Sequence, residues 1–241
     1  MDREQLGVVC ERIGLIGGAY YFEPETFEAA ERAGLDGMQA YVLGRGGVLG
    51  DVDPAVVASA FGYFNPAMID EVWRSAVSVV SPRRGAALYA EACEAFGRAK
   101  FAGGADLVPL CAALDEVRRA VDPRGLPFYA AHAVQPLPDD PPGRVMRLVA
   151  LLREWRGAAH LAAVVACGLD PKTAHHLRRP HDMGLFGWDE EEAVAVTDGD
   201  RRALAQADSL TDQIVAPAYD TLKPSMVDDL LQGLAAVEAA L

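Results

Sequence analysis

The sequence predicts an all-α fold, on three observations. Alanine occupies 42 of the 241 positions, and alanine loses no side-chain entropy on entering a helix. Prolines and capping residues mark helix starts and stops along the whole chain. No apolar–polar alternation lasts long enough for a half-buried strand. Two helical subdomains are expected, residues 1–135 and 142–241, the second with a helix-turn-helix layout.

Pro24 is placed as the first residue of a helix through PETFEAAERAG, with Gly34 as its cap. Residues 36–43 read as a short helix before a glycine-rich turn, 44–50 (GRGGVLG). Pro54 starts a helix ending near Asn65, and Pro66 opens the next. Ser81-Pro82 caps a long helix to about Lys100, and further helices cover 106–121 and 126–134. The cluster Pro136, Pro138, Pro141 and Pro142 marks the candidate domain boundary. Beyond it, Val145, Leu148, Val149, Leu152, Trp155 and Ala159 form an apolar helical stripe with arginines opposite. Residues 144–180 parse as helix 144–156, helix 158–167 closed by Gly168, and helix 171–179, with Gly157 a candidate break. DEEE at 189–192 reads as a helix N-terminus, where carboxylates favour the dipole. VTDGD at 196–200 reads as a hairpin tip.

The net charge of −13 accompanies 51% apolar residues, which excludes disorder as the main state. Residues 142–181 carry +5 and four of the five histidines, whereas 182–241 carry −10. Such a basic island is an internal salt-bridge partner, an anion site or a nucleic-acid surface. Cys10, Cys93, Cys111 and Cys167 are scattered without CxxC spacing, as expected of reduced thiols in a cytoplasmic protein. The charged start MDREQLGVVC lacks a signal-peptide pattern, and the absence of an 18-residue apolar run argues against a membrane partner.

The glycine-rich stretch lacks the GK[ST] of a phosphate loop, and its GxGxxxG spacing misses the dinucleotide fingerprint, so no cofactor is expected. Arg45 among these glycines is a candidate to point into a pocket. Tyr20, Tyr21, Phe22, Tyr41, Phe61, Tyr63 and Phe64 crowd the first 64 residues. They form core, or the wall of an organic-ligand cavity with Tyr21, Tyr41, Arg45 and Asn65 as its contacts. His160 follows Arg156 by four residues, so both share one helix face. The pair is the candidate catalytic site, His160 as acid or base and Arg156 as anion anchor. His175, His176, His181 and Asp182 match no metal-ligand spacing, so no metal is expected. GxSxG is absent, which leaves serine-hydrolase chemistry without support.

YFEPE at 21–25, GLDGMQAYVLGRGGVLG at 34–50, AFGYFNP at 60–66, LLREWRGAAHLAAVVACGL at 151–169 and SLTDQIVAP at 209–217 carry a resemblance. They are similar to actinobacterial proteins described as SalK-like or as helix-turn-helix domain proteins. The C-terminal part resembles a winged helix of the MarR type, although little room remains for a wing before SLTDQ, so a reduced wing is expected. On this likeness the helix at 171–179 would enter a DNA groove, presenting Lys172, His175, His176, Arg178 and Arg179. The leading expectation is a small-molecule-binding protein. It would be a cofactor-independent enzyme of specialised metabolism, acting by acid–base chemistry on an anionic ligand held between the subdomains. The alternative is a DNA-binding regulator, which the net charge disfavours because phosphate contacts dominate DNA affinity. A homodimer is compatible with either.

Overall fold

The computed structural model describes residues 1–103, 106–189 and 194–241. Among the described residues there are twelve α-helices and no strand. They are α1 Arg3–Ile16, α2 Pro24–Arg32, α3 Gly37–Gly46, α4 Pro54–Phe61, α5 Pro66–Val77, α6 Pro82–Phe101, α7 Val108–Ala120, α8 Pro127–Ala133, α9 Pro141–Ala166, α10 Pro171–Arg178, α11 Asp198–Tyr219 and α12 Pro224–Glu238. The all-α expectation therefore holds.

Local chemistry sets the starts. Proline occupies the first helical position of α2, α4, α5, α6, α8, α9, α10 and α12, where its missing N–H costs nothing. Asp2, Asp36, Asp53, Asn65, Asp140 and Asp170 each accept a hydrogen bond from a first-turn N–H, satisfying a donor with no partner inside the helix. Ser81 precedes Pro82 as expected, but its side chain makes no capping bond. The hairpin expected at 196–200 is instead the start of α11. Thr197 Oγ1 accepts from Asp200 N, and Asp200 accepts in return from Thr197 N, a reciprocal cap that commits the segment to helix. Most of the DEEE segment (residues 190–192) lies outside the described residues.

The glycine-rich turn is also corrected. α3 continues through Gly44 and Arg45 to Gly46, and a single 3₁₀ turn, Gly47–Leu49, follows. The glycines serve close packing. A Cβ at Gly44 would lie 2.4 Å from the Tyr89 ring, one at Gly85 would lie 2.5 Å from Leu43, and one at Gly47 would lie 2.1 Å from the Pro82 carbonyl oxygen. α3 thus lies backbone-close against α6, at distances no larger residue permits.

The expected break at Gly157 is absent, since α9 runs unbroken from Pro141 to Ala166. The notion of one apolar stripe is corrected with it. Leu148, Val149, Leu151, Leu152, Glu154 and Trp155 are all buried, so α9 is enclosed on most sides, packing against α1, α6, α7, α8 and α11. It ends where Gly168, at φ 70°, lets Gly168 N donate to Val165 O and Leu169 N to Val164 O. That is a Schellman motif with its buried Leu169–Val164 apolar pair. The turn leads directly into α10.

The apolar residues form three clusters. The largest joins α1, α6 and α7 to α9, α11 and α12. The second holds α2 to α5 against Ala86 and Phe128, and the third joins the end of α9 to α10 and α11. No helix among the described residues is long and apolar enough to cross a membrane.

The packing yields a paired expectation. Gly47→Ala should cost about 1–3 kcal/mol, because its new methyl meets rigid backbone. Gly157→Ala, with nothing within 4 Å of the added Cβ, should gain about 0.5–1 kcal/mol in mid-helix. Urea denaturation reads both, and equal effects at the two sites would refute the close-packing account.

Candidate functional site

A buried polar cluster centres on Glu154, in mid-α9. Its carboxylate accepts from Arg45 Nε at 3.0 Å and Arg45 Nη2 at 2.8 Å, a bidentate pair across α3 and α9. Tyr21 Oη donates to Glu154 at 2.9 Å and accepts from Arg153 Nη1 at 2.7 Å. Arg45 Nη1 donates to Tyr41 Oη. Aromatic rings enclose the Arg45 guanidinium, with Phe61 at 4.7 Å, Tyr41 at 5.0 Å and Phe128 at 5.7 Å. Burial opposes ionisation of Glu154, but Arg45 outweighs it and holds the carboxyl well below its ordinary range.

Beside this pair lies a recess lined by residues of both stretches, 1–135 and 142–241. Its polar lining includes Tyr20, Arg45, Tyr89, His132, Arg147 and Glu154. It encloses about 510 Å³ counted out to its mouth, but its free volume is about 30 Å³, room for roughly one or two water-sized groups. Three polar atoms sealed from solvent there make no hydrogen bond: Tyr89 Oη, His132 Nε2 and Arg147 Nε. Arg147 has Glu94 at 3.8 Å as its nearest acid. Burial pulls the His132 imidazole down to about 4, so it is neutral at physiological pH.

The site residues expected from the sequence divide into three places. Tyr21, Tyr41 and Arg45 meet around Glu154, so much of the N-terminal aromatic group surrounds a cation of the protein itself. Asn65 is elsewhere: it caps α5 and donates from Nδ2 to Gly187 O at 2.9 Å. His160 and Arg156 share a face of α9, as their spacing requires, but they face α11 and do not line the recess. His160 Nδ1 lies 3.0 Å from Thr211 Oγ1 and 3.9 Å from Asp208, and Arg156 donates to Asp212 at 3.4 Å. Burial holds His160 below its ordinary value.

The basic island is largely matched from within. Arg144 pairs with Asp115 at 3.0 Å, Arg178 with Asp208 and Arg179 with Asp182 at 3.9 Å. Lys172 stands over the Trp188 ring at 4.6 Å. His175 is buried against Phe186, ring centroids 3.8 Å apart, and His176 Nδ1 is sealed from solvent without a hydrogen bond. α10 is eight residues long.

Sequence reasoning did not single out Glu154, Arg153, His132, Tyr89 or Arg147. One signal was available for Glu154: it is the sole acid in a 26-residue helix of apolar and basic residues. A lone carboxylate on an enclosed helix requires a cation.

Arg45→Met should destabilise the chain by about 3–5 kcal/mol, because it leaves Glu154 charged and buried. The double variant Arg45→Met, Glu154→Met should recover most of that loss. Additive losses in urea denaturation would show that the pair is not coupled.

The pH dependence has a definite sign. His132 titrates near 4 in the folded state and near 6.5 when unfolded, so only the unfolded chain takes up this proton between those values. Its contribution is complete above pH 6.5 and declines as pH falls toward 4, by about 3 kcal/mol in all. His132→Asn should flatten this part of the stability curve. His160 and His175, also lowered by burial, and the carboxylates of Glu154 and Asp115, held low by arginines, contribute to what remains, and an unchanged curve would show His132 to be solvated.

No curated protein and no solved structure matches the chain. A family model described as a helix-turn-helix family matches residues 8–241, nearly the whole chain. The chain belongs to that helix-turn-helix family.

Proposed function

We propose that the protein binds a small molecule in the recess between α3, α6, α8 and α9, at the junction of two subdomains, 1–135 and 142–241. One observation carries this reading: Tyr89, His132 and Arg147, three residues of one recess lining, each hold a buried polar atom (Oη, Nε2 and Nε) without a hydrogen-bond partner. Buried polar atoms are nearly always hydrogen-bonded, and unmatched ones in a concave site are the usual mark of a ligand position. Proton exchange with a bound ligand would fall to His132, which lines the cavity, ahead of His160, which does not. Arg156, outside the lining with His160, keeps Asp212 rather than a ligand anion as its partner.

DNA binding is the second reading, supported by membership of a helix-turn-helix family and by the basic residues on and after α10. Against it stand the ion pairs of Arg178 and Arg179, the burial of His175 and the net charge of −13. A winged-helix version needs a β-hairpin, and no strand occurs among the described residues.

Chemical-shift mapping with a panel of polar fragments should perturb His132 and Tyr89. Ala90→Leu, which narrows the recess, should abolish the perturbation with the fold intact. Signals confined to other surfaces would refute the recess as the site. Gel-shift titration with duplex DNA should show no complex at physiological salt. A complex that weakens steeply with salt, and is lost in Arg178→Ala, Arg179→Ala, would establish the second reading instead.

A further inference from the structure

The geometry points to the carboxylate head of a small organic monoanion as the group the recess takes, with Arg147 and Tyr89 as its binding groups and His132 Nε2 as a third donor. This deepens the proposal above and rests on the recess being the ligand site.

Charge supplies the first argument. The recess is lined by two arginines and one glutamate. Arg45 is committed to Glu154 through both carboxylate oxygens, so the surplus cation is Arg147. Its nearest acid, Glu94 at 3.8 Å, is outside the lining, and its Nε has no hydrogen-bond partner. Arg147 is thus the one cation of the lining whose guanidinium keeps an unused N–H, its ion pair with Glu94 being longer than a hydrogen bond, and a single such cation matches a monoanion. A dianion would meet Glu154 across the same cavity with no second such cation to offset the repulsion.

Hydrogen bonding supplies the second. Tyr89 is 7% exposed and its hydroxyl is unpartnered. Arg147 Nε–H, Tyr89 Oη–H and the Nε2–H tautomer of His132 are all donors. Three donors without an acceptor ask for a group that only accepts, and an ionised carboxylate has two oxygens and no hydrogen to give. An amide, an alcohol or an ammonium group would bring donors of its own into a site already rich in them.

Size supplies the third. The free volume of about 30 Å³ admits a head group, not a whole metabolite. Beside the polar residues and Gln135, the lining includes Val48, Ala86, Ala90, Leu137, Ala150 and Leu151, so apolar walls meet a short hydrocarbon tail. The combination selects an amphipathic acid over a free polar anion.

The test compares isosteric probes on the full chain by calorimetry and by imidazole NMR. Acetate, butyrate and benzoate are set against butyramide and benzamide, with inorganic phosphate as a further arm. Butyrate should bind at least tenfold more tightly than butyramide, and it should raise the titration midpoint of His132, since a bound anion favours the imidazolium. Tyr89→Phe removes an unpartnered buried hydroxyl. It should therefore leave the melting temperature unchanged or higher while weakening butyrate about tenfold, a split that a purely structural tyrosine would not produce. Arg147→Met should abolish the preference for acid over amide. Equal binding of butyrate and butyramide, or tighter binding of phosphate than of any carboxylate, would overturn the carboxylate assignment and leave the recess standing as a site. Failure of every probe to perturb His132 would remove the recess itself, and this inference with it.

Discussion

The structure depends on the pairing of Arg45 with Glu154. Each is a charge on a helix whose surroundings are apolar, and each would be untenable alone, since burying an unpaired ion costs several kcal/mol. Both must arrive at one point, from α3 and α9, 109 residues apart in the chain. That requirement fixes how the cluster of α2 to α5 docks on the cluster organised around α9. Tyr21 donates to Glu154, Tyr41 accepts from Arg45 and Arg153 donates to Tyr21, while aromatic rings surround the Arg45 guanidinium. A buried pair of this kind contributes little to net stability compared with an apolar replacement, but it penalises every arrangement in which the helices are misplaced.

The glycines make the pairing reachable. Gly44 and Gly47 let α3 approach α6 until side-chain and backbone atoms of α6 occupy the space that Cβ atoms would need. Arg45, between them, reaches α9. A helix with glycines at 44, 46 and 47 has poor intrinsic propensity; tertiary contact with α6, not local preference, keeps it helical. The same contact places Tyr89 of α6 between the glycine face and the recess. The packing that seats the ion pair therefore also shapes the cavity beside it.

This explains what was and was not legible in the sequence. Helix starts were readable because they are local: proline at a first position and a short acceptor before it act within one turn of chain, as at Pro54, Pro66 and Pro171. Gly34 and Gly168 were readable as helix ends for the same reason. The glycine stretch was misread because propensity points to a turn there, and only α6, some forty residues on, overrides it. Gly157 was misread in the same way, since burial on both sides of it carries α9 through a weak position. In the site, the shared face of Arg156 and His160 followed from helical spacing, and their partners on α11 did not. Glu154, six residues before His160, lies off that face. The partner it faces instead lies on another helix, which spacing along α9 does not disclose.

The uneven charge of the chain has a related resolution. A stretch of +5 followed by one of −10 left three readings open: an internal salt-bridge partner, an anion site or a nucleic-acid surface. In the folded chain, however, Arg156, Arg178 and Arg179 meet Asp212, Asp208 and Asp182, so the acidic C-terminal stretch supplies counterions to the basic one. The ion pairs of Arg178 and Arg179 are partly exposed and individually weak. Their collective effect is to lower the charge that α10 presents to solvent, and a duplex would have to displace those carboxylates to bind there. Arg147 differs from the other arginines of the island in lining the recess; its side chain is 13% exposed and pairs with Glu94 at 3.8 Å. The arginines at the end of α10 and just after it thus meet acids of the same chain, while Arg147, on α9, lines the recess beside the Arg45–Glu154 pair.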